Sequence, residues 1–271
     1  MTPVMPRVAV MTKAYQERTM LPLWVRHYEK LVGRENLLVL DHGSSPAISI
    51  GGVRTERLPR GQVDEYDYIE ILSVWQRKLL SEYDWVITTD TDEFIVPNPQ
   101  LFSSLTAMLR DTPSGTRRCV GCEVIDPGNP TQPLDWSLPI LRQRPLGVLS
   151  KWSSKPAVSS VPTDWMPGLH TAHTPSIFDH ALWLFHLKYA DEQYLMERLA
   201  LTRALDWSAR SVAEGLGGSH RVPDIAMRRA MEHYRSTIAP GTLDDVLSKQ
   251  SDPDTLTSPM MAIPDVFLDC L

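Results

Sequence analysis

Trp85-Val86-Ile87-Thr88-Thr89-Asp90-Thr91-Asp92-Glu93-Phe94 decides the fold. An apolar run rich in β-branched residues, Trp85 to Ile87, ends in three acids within four residues. The run is short and flanked by polar residues, so it reads as a buried strand and not as a helix. Asp90 and Asp92 are two apart in the chain. If the backbone stays extended they point to one side and Glu93 points away. Two carboxylates converging at a strand end suit a hard cation, Mg2+ or Mn2+, and such ions are usually shared with a substrate phosphate. The apolar Phe94-Ile95-Val96 that follows separates this pattern from an ordinary solvated acidic loop.

Upstream, strands and helices alternate. Arg7 to Thr12 reads as a first buried strand. Thr19 to Val32 reads as a helix with Thr19 as its N-cap, Pro22 in its first turn, and Leu21, Trp24, Val25, Tyr28, Leu31 and Val32 at helical spacing. Asn36 to Leu40 is a second strand, ending in Asp41-His42-Gly43. Val53 to Leu58 fits a third strand and Glu65 to Glu82 a second helix. This rhythm predicts an α/β fold, Rossmann-like, with a mostly parallel central sheet flanked by helices. Ligands of such sheets gather beyond the carboxyl ends of the strands. Thr12, Asp41 and Asp90 all follow strand ends, so one rim should hold them.

After Asn98-Pro99 the rhythm changes. Leu101 to Arg110 reads as a helix, Arg117 to Ile125 as a strand, and Asp126 to Pro139 as a loop. Val148 to Ser176 is irregular; Ala181 to Lys188 is strand-like, with His186 near its end. Asp191 to Gly215 reads as one long helix capped by Asp191 and stopped by Gly215-Leu216-Gly217-Gly218, and Asp224 to Arg235 as another. The tail from Pro240 is polar and Pro-punctuated, expected to drape over the surface or lie partly disordered. These boundaries give one domain over 1–218, divided into a first half of about 7–98 and a second of about 99–190. A helical C-terminal appendage over 219–271 follows.

Composition narrows the class. The chain has 271 residues, 42% of them hydrophobic and 22% charged, enough for a substantial core without disulfides. Net charge is -6, and no basic run exceeds Arg228-Arg229, so nucleic acid is not an expected partner. No apolar run approaches the ~20 residues of a membrane span. Met1-Thr2-Pro3-Val4-Met5-Pro6-Arg7 lacks the basic-then-apolar order of a signal segment. The three cysteines, Cys119, Cys122 and Cys270, form no disulfide framework, and Cys119-Val120-Gly121-Cys122 has no second pair to make a zinc site. A reducing cytoplasm is the expected location.

Histidines give the second chemical signal. His170, His173, His180 and His186 cluster in one stretch. A strand-end histidine that meets an Asp-x-Asp pair in space would complete a divalent-metal site. His186 is placed for that, with metal affinity expected to fall as pH drops below roughly 6.5.

Four motifs together resemble the family 2 type of glycosyltransferase with the GT-A fold. They are Val8-Ala9-Val10-Met11-Thr12-Lys13 with Glu17, Trp24-Val25-Arg26-His27-Tyr28, Leu40-Asp41-His42-Gly43-Ser44, and Asp90-Thr91-Asp92-Glu93-Phe94. The resemblance is to the subgroup with a DxDEF element and a late HxKY-like element, here Leu184-Phe185-His186-Leu187-Lys188-Tyr189. It implies a nucleotide-sugar donor, UDP- or GDP-linked, a Mn2+ or Mg2+ cofactor, and a glycan or other hydroxyl acceptor. It also implies residue roles. Thr12, Tyr15, Glu17 and Asp41 would cradle the nucleoside. Arg77, Lys155 and His170 would approach the diphosphate. Asp90 would sit near ribose or metal, and Asp92 and His186 would be ligands. Inversion follows from the resemblance alone and needs a base; Asp164, in the loop between Lys155 and His170, is the candidate.

Other classes share parts of this pattern. A nucleotidyltransferase usually carries a Gly-rich basic loop after its first strand, whereas Lys13-Ala14-Tyr15-Gln16-Glu17-Arg18 has no glycine. A metal-dependent phosphohydrolase would want more ligands for two metals. A catalytically silent carbohydrate-binding protein would keep the sheet without turnover.

Overall fold

The structure is a computed structural model that describes residues 4–128 and 133–271. Residues 1–3, which begin the N-terminal segment discussed above, and 129–132 of the expected loop lie outside the described residues. The elements run β1 (Val8–Ala14), α1 (Met20–Val32), β2 (Leu37–Asp41), β3 (Arg54–Arg57), α2 (Glu65–Leu80), β4 (Trp85–Thr88), β5 (Glu93–Pro97) and α3 (Leu105–Arg110). Then come β6 (Thr116–Val124), α4 (Ile140–Gln143), β7 (Leu146–Leu149), β8 (Val158–Ser159), β9 (Ser176–His186), α5 (Glu192–Arg203), α6 (Ala209–Ala213), α7 (Asp224–Ser236), α8 (Leu243–Leu247) and β10 (Met261–Ala262).

The fold is α/β, as the strand-helix alternation predicts. β3, β2, β1 and β4 are neighbours in that order and pair in parallel. Alternation along β1 sends Val8 and Val10 into a core with Trp24 and Tyr28 of α1, and Ala9 and Met11 into a second core with Leu72 and Leu79 of α2. Helices therefore cover both faces, which is why β1, β2 and β4 read as apolar runs, whereas the edge strand β3 is polar. Past β4 the sheet becomes mixed. β8 pairs antiparallel with β4, β6 antiparallel with β8 and β7, and β9 runs parallel to β6 and antiparallel to β5.

Three local expectations change. The chain does not stay extended through the acids; a turn at Thr91-Asp92 separates β4 from β5. The long helix is two, because Asp206 and Ser208 exchange backbone hydrogen bonds with Val63 (2.7 and 3.0 Å) and Ser208 caps α6. The tail is integral: β10 adds to the edge of the sheet, and the buried Phe267 ring packs 4.9 Å from Trp183 and 5.4 Å from Phe185.

Gly121 on β6 marks where backbone approaches backbone. A Cβ there would lie 2.2 Å from Ser154 N and 2.3 Å from the Ser153 carbonyl carbon. Only glycine lets the 150–155 turn fold onto the strand. Gly121→Ala is expected to cost about 1–3 kcal/mol through overpacking, read by urea unfolding. Gly61→Ala, with open space around its Cβ, is the neutral control. Equal stability of the two variants would show that the turn adapts freely.

Candidate active site

The acids at the end of β4 are braced from α1. Trp24 Nε1 donates to Thr89 Oγ1 at 2.9 Å. Tyr28 donates to the Glu93 carbonyl at 3.0 Å and accepts from Ile95 N at 2.9 Å. His27 is buried, and burial pulls its pKa down to about 4, so the neutral ring donates from Nε2 to the Ile95 carbonyl at 2.9 Å. The Trp24-Val25-Arg26-His27-Tyr28 motif therefore acts as a clamp on the acidic turn.

The turn overturns the expected direction of Glu93. Its side chain is fully buried and faces the same cluster as Asp90, whose backbone N–H it accepts at 2.9 Å. Lys155 joins the two, 2.8 Å from Asp90 Oδ2 and 2.5 Å from Glu93 Oε1. Burial alone would discharge Asp90, but Lys155 outweighs it and holds that carboxyl below its ordinary range. Burial wins at Glu93, whose pKa is raised. Lys155 is thus a buried counter-ion and not an open phosphate ligand, a correction to its expected role.

Asp92 turns to the other strand. β5 pairs with β9 so that Glu93 faces His186, and the Asp92 carbonyl accepts from Leu187 N at 2.8 Å. β6 pairs with β9 so that Glu123 also faces His186. Glu93, His186 and Glu123 therefore form one rung across three strands. His186 Nε2 lies 3.4 Å from Asp92 Oδ2, and Nδ1 lies 2.7 Å from Glu123 Oε2. Burial opposes a charge on the ring, but Glu123 and then Asp92 outweigh it and raise the pKa well above the ordinary value.

A cationic rim surrounds the acids. Burial lowers Lys13 to about 8 while Asp90 pulls it back up; its ammonium sits over the Tyr68 ring. Lys188 is lowered by burial and feels Asp92, Glu123 and Asp90. The Arg60 guanidinium stacks 3.8 Å from the centre of the half-buried Tyr15 ring. His170 donates from Nδ1 to the Trp152 carbonyl at 2.5 Å; burial lowers it to about 4, so it is neutral at pH 7 with no protein partner on Nε2 among the described residues. Lys13, Arg60 and Lys188 were missed as site residues, although Lys13 ends the first motif at the strand rim and Lys188 follows His186 by two.

Several expected ligands are placed otherwise. Glu17 is buried; Oε1 accepts from Thr19 N (3.0 Å) and Met20 N (2.9 Å), and Oε2 accepts from the Tyr194 hydroxyl and forms an ion pair with Arg198. It caps α1, the role expected of Thr19, whose side chain makes no cap bond. Asp41 accepts from Ser44 N, Ile48 N and Arg57, so it organises its own loop and is closed to a nucleoside. Thr12 is buried with its hydroxyl unpartnered. Arg77 is exposed in the last turn of α2. It lies about 18 Å along the axis from Glu65, far from the acids that Glu65 faces. Asp164 is exposed in a hairpin whose Trp165 and Ala172 bridge, and its carboxylate meets no site residue among those described. The site therefore gathers Asp90, Asp92, Lys155, His170 and His186 from the expected set, and Tyr15 joins it only through Arg60, which stacks on Tyr15 and acts on Lys13.

The donors fit a divalent ion of the Mn2+ or Mg2+ kind through Asp92, His186 Nε2 and the half-exposed Asp90. Among the described residues no group of three such side chains forms a metal site by itself, so an ion here would need ligand oxygens to complete its coordination. The raised pKa of His186 sets a sign. Without metal, its contribution to stability is complete below the unfolded value of about 6.5 and is lost as pH rises through the folded value. A metal competes with that same proton. Mn2+ affinity should therefore begin to fall above pH 6.5 as pH decreases, higher than the sequence implied, and His186→Ala should flatten the profile. Titrations from pH 6 to 9 read this; an affinity constant over that range would contradict it.

No family model matches the chain, and no curated protein matches it. Among solved structures it is similar to a mannosyltransferase from Pyrobaculum calidifontis in complex with GDP-Man and Mn2+, at 16% identity and a TM-score of 0.29, covering 44% of this chain. The chain spans 36% of that protein's length. It is also similar to a CMP:2-keto-3-deoxy-manno-octonic acid synthetase complexed with CTP, at 12% identity and a TM-score of 0.32, covering 83% of this chain and 87% of that one. Likeness of this strength assigns no activity, and the site alone carries the functional reading. No helix among the described residues is long and apolar enough to cross a membrane.

Proposed function

We propose that the chain is a divalent-metal-dependent glycosyltransferase that moves a sugar from a nucleoside diphosphate sugar to a hydroxyl acceptor. The observation that carries this reading is the meeting of Asp92 and His186 at the end of β4, with the second nitrogen of His186 already committed to Glu123. Asp92 and His186, with the open oxygen of Asp90, would hold the ion. When bound, the ion supplies positive charge to the diphosphate leaving group. Lys13 and Lys188 are fixed cations for the same charge, which grows as the glycosidic bond to phosphate breaks, so they favour the transition state over the ground state. Tyr15, backed by Arg60, offers an aromatic face for the base. His170, neutral and open at Nε2, accepts a hydrogen bond from the incoming hydroxyl, the place expected of Asp164. The absence of glycine between Lys13 and Arg18 supports a diphosphate over a triphosphate ligand.

The test is a panel of UDP-, GDP- and dTDP-sugars incubated with the protein in Mn2+ or in EDTA. The expected result is nucleoside diphosphate release from one donor class, in Mn2+ only, with sugar appearing on an added acceptor. Pyrophosphate released from a nucleoside triphosphate would favour nucleotidyl transfer. Free phosphate would favour a phosphohydrolase.

A further inference from the structure

Glu123 enters the reading so far only as a neighbour of His186, yet it is nearly inaccessible in the middle of the sheet. A carboxylate there is costly unless it is paired. Its partners are specific. Oε2 lies 2.7 Å from His186 Nδ1, and Oε1 accepts from the Ser153 hydroxyl. Ser153 belongs to the turn that Gly121 admits, and its Oγ is also 3.4 Å from His186 Nδ1. The ring is thereby gripped from one side by a strand and a loop, with the other nitrogen turned to Asp92. A histidine that ligates a metal through one nitrogen commonly donates its other N–H to a carboxylate. That contact fixes the tautomer and raises the basicity of the ligating atom.

We propose that Glu123 is a positioning residue for the divalent ion. It accepts the Nδ1 proton of His186, keeps the lone pair on Nε2, and aims that nitrogen at the ion held with Asp92. Ser153 orients Glu123 by occupying its other oxygen. The sheet register makes the contact rigid, since Glu123 and His186 are paired residues of β6 and β9. This inference rests on the metal-dependent reading above. It adds that metal affinity is set by a residue that touches neither ion nor donor.

The experiment is a Mn2+ titration of the full chain without nucleotide, read by loss of the free-ion electron paramagnetic resonance signal. Wild type, Glu123→Gln, His186→Ala and the double variant are compared. Circular dichroism melts in EDTA establish that each is folded, and Ser153→Ala supplies a milder variant acting on the same contact. The expected result is a Mn2+ affinity about 10- to 100-fold weaker for Glu123→Gln, a smaller loss for Ser153→Ala, and no further loss when Glu123→Gln is added to His186→Ala. Unchanged affinity in Glu123→Gln overturns the proposal and leaves the metal site standing. So do losses that add in the double variant, because Glu123 would then not act through His186. Wild type that takes up no Mn2+ overturns the metal reading itself, and this proposal with it.

Discussion

Asp92→Asn is expected to reduce metal-dependent transfer at least about a thousandfold, equivalent to roughly 4 kcal/mol of transition-state stabilisation. The substitution keeps the shape and removes the charge. Asp92 stands at the rim, not in the apolar core, so no cavity opens. The cost to the fold is confined to the contact with His186. Burial works against ionisation of Asp92, but His186 outweighs it and holds the carboxyl below its ordinary range. Its contribution to stability is therefore present above the unfolded value of about 3.9 and disappears as pH falls through the folded one. At pH 7 the variant loses that contribution, about 1.5–3 kcal/mol for a hydrogen bond to a charged group. Steady-state rates across Mn2+ concentrations and a urea melt in EDTA separate the two effects. Near-normal rates at saturating Mn2+ would remove Asp92 from the site.

Lys155→Met should act on stability first. Lys155 is the shared partner of Asp90 and the fully buried Glu93. Removing one partner of a buried ion pair costs about 3–5 kcal/mol because the remaining charge has no compensation. The sign with pH is fixed. In the wild type, Asp90 contributes stability above its unfolded value that is lost only as pH falls through its depressed folded value. In the variant, the uncompensated carboxylates bind protons more readily when folded. The deficit should therefore be largest at pH 7 and shrink as pH falls toward 4.5. Urea unfolding of both proteins at the two pH values measures it. A deficit independent of pH would mean that the lost contact is packing and not charge.

The parallel half of the sheet was legible because β1, β2 and β4 are short apolar runs and α1 and α2 carry apolar stripes, while the polar edge strand β3 (Arg54–Arg57) was marked only by its apolar flanks Val53 and Leu58. Asp90 and Asp92 stood out because two acids spaced by one residue follow one apolar run and immediately precede another. Glu17 and Asp41 misled because a buried carboxylate at a strand end can equally satisfy orphan backbone N–H groups. Glu17 does so for α1 and Asp41 for its loop. Glu93 was misdirected by assuming an extended chain where the backbone turns. Glu123 was invisible because its significance lies in a register between β6 and β9 that no local pattern encodes. The tail looked expendable because Met260, Met261 and Phe267 are spaced among prolines, with no helical or strand period to show that they are buried.

On the proposed function, the acids at the end of β4, with His186, hold a divalent ion that binds a nucleoside diphosphate. Calorimetric titration of UDP and of GDP, each in Mn2+ and in EDTA, tests it most directly. One of the two nucleotides is expected to bind at least about 100-fold more tightly in Mn2+ than in EDTA, a difference of roughly 2.7 kcal/mol, and Asp92→Asn is expected to abolish the difference. Equal affinities in Mn2+ and EDTA, or no binding of either nucleotide, would contradict it.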